Sequence, residues 1–137
     1  MPGRTRSDSA ETDTLEDRWL LELQTARNLE AISAEQDGKL EVAVSLYERN
    51  VAEGFPGDLP YGRLAAIYVR FERYADADRV LRRAIGIFET STRRTPQDRR
   101  ATLRAFKQRL TEVRRLATRM SPPAEGRATP PPAARSQ

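Results

Sequence analysis

The sequence predicts an all-α fold of about five antiparallel helices, and three observations predict it. Every long segment between about Thr12 and Met120 carries its apolar residues at steps of three and four. The segments are separated by glycines, by a Gly-Phe-Pro-Gly turn and by a Thr-Pro start signal. No segment shows the two-residue alternation of a half-buried strand. The helical domain is expected over residues 12–120. Residues 1–11 are polar and include Pro2 and Gly3, which predicts a disordered arm. Residues 121–137 hold five of the nine prolines and no large apolar side chain, which predicts a disordered Pro/Ala-rich tail.

The first helix is expected from about Thr14 to Asp37, with Leu15, Trp19, Leu23, Ala26, Leu29 and Ile32 as its apolar face. Gly38 ends it by accepting the left-handed conformation. A second helix, about Leu40 to Glu53, aligns Leu40, Ala43, Val44, Tyr47 and Val51 and stops at Gly54-Phe55-Pro56-Gly57. Asp58 is placed to cap a third helix built on Tyr61, Leu64, Ala65, Tyr68 and Val69. A turn near Glu72 and Arg73 leads to a fourth, about Tyr74 to Phe88, that buries Tyr74, Ala77, Leu81, Ala84, Ile85 and Phe88. Thr95-Pro96-Gln97-Asp98 offers a hydroxyl cap, proline at the first helical position and an acid in the first turn of a fifth helix, about 96–120. Its seam of Leu103, Phe106, Leu110, Val113, Ala117 and Met120 has heptad spacing. The seam is read either as a cap over the open end of the preceding helices or as a surface that also dimerises.

The net charge of +4 conceals a strong asymmetry. Met1 to Asp58 carries 6 basic and 13 acidic residues, whereas Leu59 to Gln137 carries 18 basic and 7 acidic. With no Cys and no His, thiol nucleophiles, imidazole bases, Cys/His zinc sites and disulfides are excluded. No phosphate-cradling Gly-rich loop is present. Asp76 and Asp78, two apart on a helix, point away from each other, so no metal is expected there. No cofactor and no enzymatic activity are expected. No apolar leader or spanning segment is recognisable, so the expected setting is cytoplasmic, with no membrane partner.

Helices two and four repeat one another at an offset of 34 residues. Ala31 matches Ala65, Leu40 matches Tyr74, Ala43 matches Ala77, Tyr47 matches Leu81, Arg49 matches Arg83 and Val51 matches Ile85. This pattern resembles the tetratricopeptide repeat, with units of about 24–57 and 58–91. The second unit carries the fuller motif, in Tyr61, Leu64, Ala65, Tyr68, Ala77, Leu81 and Ala84. The first keeps Ala31, Gly38, Ala43, Tyr47 and a late Pro56, but has Arg27, Glu30 and Ala34 where large residues and a tyrosine are usual. A helical extension through Trp19 precedes it, and the basic fifth helix closes the array.

The resemblance implies an interaction scaffold that binds a peptide or helix in a concave face. Asn28, Ile32, Glu35, Arg63, Ala66 and Arg70 occupy the positions of that face. Ile32 and Asn28 stand where carboxylate-clamping members have asparagine and lysine, so a chaperone-tail clamp is not implied. Arg63 and Arg70, seven apart, are expected either to engage an acidic protein partner or to be simply solvated. The competing surface is the fifth helix: from Arg93 to Arg119 it holds ten basic residues against Asp98 and Glu112. Arg100, Arg104, Lys107, Arg114 and Arg115 form a stripe suited to nonspecific nucleic-acid binding, or to an acidic helix, including the acidic half of a second copy in a homo-oligomer.

Overall fold

In the computed structural model the backbone is described for residues 2–120 and the side chains for residues 14–120. Five helices follow in order: α1 (Pro2–Gln36), α2 (Leu40–Ala52), α3 (Leu59–Arg70), α4 (Tyr74–Glu89) and α5 (Pro96–Met120), with no strand among the described residues. The all-α reading is therefore correct. Helix α1 starts at Pro2, not near Thr14 after a disordered arm. Beyond Gly3, no Pro or Gly interrupts the run to Asp13, and extending a nucleated helix fixes only one residue per added hydrogen bond. The tail expected over 121–137 lies outside the described residues.

Helices α1, α2 and α3 end in the same closure, at α2 with Phe55 N donating to Asn50 O over 3.0 Å, Gly54 N to Val51 O over 3.1 Å and Gly54 left-handed at φ 76°, but only the first and third, 34 residues apart, lead directly into the next helix. At the end of α1, Lys39 N donates to Ala34 O over 2.8 Å and Gly38 N to Glu35 O over 3.0 Å. At the end of α3, Arg73 N donates to Tyr68 O over 2.7 Å and Glu72 N to Val69 O over 2.9 Å. This paired closure satisfies terminal carbonyls and requires one left-handed residue. Gly38 fills that role with φ 77° and Glu72 with φ 60°. The next helix then begins from Lys39 (φ −92°, ψ 71°) or Arg73 (φ −94°, ψ 69°). What recurs with the sequence repeat is this direct passage from closure to helix start through Lys39 and Arg73.

The chain divides into two compact units, Met1–Leu64 and Ala65–Gln137. The division falls inside α3 rather than at the sequence-repeat boundary near 57. In the first unit α1 and α2 run antiparallel, since Glu35 meets Tyr47 while Gln24 meets Glu53. Ala31, Ala43, Tyr47, Tyr61 and Leu64 are fully buried, with Ala34, Val51 and Phe55 beside them. The small residues let the backbones approach, and the tyrosines fill the remaining space.

The buried side of α1 is not the one expected. Leu15, Trp19, Leu23 and Leu29 are exposed, whereas Gln24, Asn28, Ala31 and Ala34 face the interior. The apolar stripe and the buried stripe lie on opposite sides of the helix, so apolar spacing alone selected the wrong one.

In the second unit α4 and α5 run antiparallel, with Phe88 against Phe106 at one end and Asp78 against Arg114 at the other. Ala77, Val80, Leu81, Ala84 and Phe88 of α4 are buried, as are Phe106, Leu110 and Val113 of α5. The middle of the α5 seam is therefore used within the chain, while Met120 at its end stays exposed. Thr95 Oγ1 accepts from Asp98 N over 3.1 Å, which is the predicted cap of α5.

Candidate functional site

The interior of the first unit is partly polar. Asn50, fully buried on α2, donates through Nδ2 to Gln24 O (2.9 Å) and to Asn28 Oδ1 (2.7 Å). Its Oδ1 accepts from Arg27 Nη1 over 2.5 Å. The same nitrogen donates to Glu53 Oε1 over 2.9 Å, and Gln24 Nε2 reaches that oxygen over 3.0 Å. These bonds hold the Glu53 carboxyl below the usual carboxylate range, the Arg27 hydrogen bond contributing most. Sequence reading missed this network. Its signal was a line of polar residues, 24, 27, 28 and 50, on faces otherwise holding alanine and tyrosine.

Of the residues assigned to the concave face, the structure brings Glu35 and Arg63 together. Arg63 donates through Nη2 to Glu35 Oε2 (2.6 Å) and through Nε to Oε1 (3.1 Å), a bidentate pair. Tyr47 Oη donates to Oε1 over 2.8 Å. Arg63 chiefly lowers the Glu35 pKa, burial opposing it, and burial chiefly raises that of Tyr47, the Glu35 carboxylate adding to the rise. The Tyr47 proton is thereby fixed toward Glu35. Asn28 is buried within the α1–α2 interface and bonded to Asn50, so it offers no open surface to a partner. Its face was misassigned because the polar side of α1 is the inner one. Ile32 is half-buried. Ala66 and Arg70 belong to the second unit; Ala66 is half-buried, and the Arg70 guanidinium lies 5.5 Å from the Phe71 ring centre.

The stripe on α5 splits into paired and open members. Arg114 Nε donates to Asp78 Oδ2 over 2.7 Å, and Arg82 Nε donates to Oδ1 over 2.6 Å. Arg115 pairs with Glu112 on its own helix. Asp76 holds Arg73 at 2.7 Å and Arg79 at 3.4 Å, so the two aspartates bind different arginines. Arg100 and Arg104 are exposed and have no acidic partner among the described residues, and Lys107 stands 4.0 Å from Glu89. With Leu103, Gln108 and Thr111 these three cations line a shallow depression of about 420 Å³. Among the described residues no three acidic side chains converge as metal ligands, and no helix is long and apolar enough to cross a membrane.

Comparison with protein-family models, with curated proteins and with solved structures found no match to this chain.

Proposed function

We propose that the protein is a noncatalytic, tetratricopeptide-like interaction scaffold of the cytoplasm that binds an acidic protein segment. The 34-residue recurrence of a left-handed closure that passes directly into the next helix, through Lys39 and Arg73, supports the tetratricopeptide-like reading. The observation that carries the binding mode is the depression on α5, where Arg100, Arg104 and Lys107 surround the half-buried Leu103. Open guanidinium groups beside a small apolar surface suit an amphipathic acidic helix or peptide. The Arg63 of the expected concave face is less suited, because Glu35 already takes two of its donors.

A fluorescein-labelled amphipathic peptide with glutamate at every third or fourth position tests the reading by anisotropy. Replacing Arg100, Arg104 and Lys107 with Glu is expected to weaken binding at least ten-fold and leave helicity unchanged. Loss of binding on Arg63→Ala and Arg70→Ala instead would return the site to the concave face. Tighter capture of a random-sequence DNA duplex than of the peptide would assign the stripe to nucleic acid.

A further inference from the structure

Beside α2, from Gln24 onward, helix α1 is polar or small toward its partner and apolar toward water, and residues 14–20 before that level are exposed on every side. Trp19 is 67% exposed, Leu15 60% and Leu29 63%, and Leu23 and Ala26 continue the stripe. Together the large side chains leave roughly 500 Å² of apolar surface open, within the range of the largest patch on a monomer, which is often a functional one. The tail 121–137 supplies no large apolar side chain to cover it. Charge identifies what does. Glu16 and Glu22 lie three residues to either side of Trp19, both exposed and without an ion pair among the described residues. They stand about 9 Å apart along the axis, close to the roughly 10.5 Å between Arg100 and Lys107 at the ends of the α5 depression.

We infer that the outer face of α1 docks on the basic depression of α5 in a second copy of the chain, with the Trp19 indole over Leu103 and between the cations. The deciding juxtaposition is an exposed tryptophan bracketed by glutamates on one helix, and an apolar centre bracketed by Arg100 and Lys107 on another. Tryptophan is the strongest aromatic partner for a guanidinium or ammonium group. The carboxylates supply opposite charge at matching spacing. Each copy carries both halves of the contact, so the contact is made twice in a closed pair or repeated head to tail. The inference rests on reading α5 as a site for acidic segments and names the segment as α1 itself.

Two charge-reversed full-length variants test it: Glu16→Arg/Glu22→Arg, and Arg100→Glu/Lys107→Glu. Sedimentation and the emission of Trp19, the sole tryptophan, report association. The wild type is expected to associate with a blue shift on concentration and to dissociate at least ten-fold more readily as salt rises from low to physiological strength. Each variant alone is expected to stay monomeric, because its two surfaces then carry like charge. An equimolar mixture is expected to associate, because α1 of each then faces an opposite charge on the other. Self-association of the α5 variant alone would overturn the inference in favour of α1–α1 pairing. A concentration-independent Trp19 spectrum would also overturn it. If wild type stays monomeric while the glutamate peptide still binds α5, self-docking alone falls. If neither occurs, the reading of α5 falls with it.

Discussion

Two of the three left-handed residues among those described, Gly38 and Glu72, give a stability test whose sign is opposite at equivalent positions. Gly38 and Glu72 close the same turn, but Glu72 has a side chain at φ 60°. A β-carbon placed on Gly38 meets nothing within 4 Å, so Gly38→Ala changes the backbone energy and no packing. An L-residue held left-handed costs about 1–2 kcal/mol, and the stiffer unfolded chain of alanine returns about 0.4–1 kcal/mol. The expected net loss is about 1 kcal/mol. Glu72→Gly reverses the same terms and is expected to stabilise by about 0.5–1 kcal/mol. Urea unfolding followed by far-ultraviolet circular dichroism measures both, provided the denaturant slope stays constant. The two positions share no side-chain partner, so the double variant is expected within about 0.5 kcal/mol of wild type. A neutral Gly38→Ala, or a destabilising Glu72→Gly, would refute the assignment of strain to these turns.

Three further outcomes follow from packing and charge. Asn50→Ala is expected to cost about 1–3 kcal/mol in urea unfolding, because it takes the donor from the buried Asn28 Oδ1 and leaves Arg27 with Glu53 alone; a loss below about 0.5 kcal/mol would mean that the network contributes little. Phe106→Ala removes the partner of Phe88 and is expected to cost about 3–5 kcal/mol. Amide exchange is expected to accelerate in α5 and α4 but not in α2; equal acceleration everywhere would contradict local docking. The Glu35 pKa lies below its ordinary 4.5 in the folded chain, so its contribution is complete above that value and fades as pH falls through the lowered one. Acidification below 4.5 should therefore lower the urea midpoint of wild type more than that of Glu35→Gln. Equal losses would remove the Arg63 pair as a source of acid sensitivity.

Helix number and most boundaries were legible because glycine, proline and a capping threonine act locally. Thr95 caps α5 where its hydroxyl, the following proline and Asp98 indicated, and Gly38 adopts the conformation that its position required. Glu72 shows the limit of that logic: its turn was recognised, but a left-handed glutamate is visible only through its equivalence to Gly38. The buried face of α1 was less legible for a different reason. Periodicity reports where apolar residues align, not which alignment meets a partner, and α1 carries two alignments on opposite sides. Likewise the basic residues of α5 were countable in sequence. Which of them are engaged depended on Asp78 lying 36 positions from Arg114, and no local pattern encodes that.

The polar interior of the first unit bears directly on why the apolar stripe stays outside. Turning α1 by half a revolution would bring Leu23 and Leu29 toward α2, which area alone favours. That turn would also carry Arg27, Asn28 and the Gln24 carbonyl into water and leave Asn50, fully buried, with neither donor nor acceptor partner. An orphaned amide and a lost charge-assisted bond cost several times a single neutral hydrogen bond, and Ala31 and Ala34 would be replaced at the interface by Leu29 and Ile32, too large for the close approach. The network therefore fixes the rotation of α1 more than it adds net stability, in the way buried polar groups fix register elsewhere. Holding that rotation is what keeps Leu23 and Leu29 on the outer face, so a defect at Asn50 is expected to reach any contact made by that face without touching it.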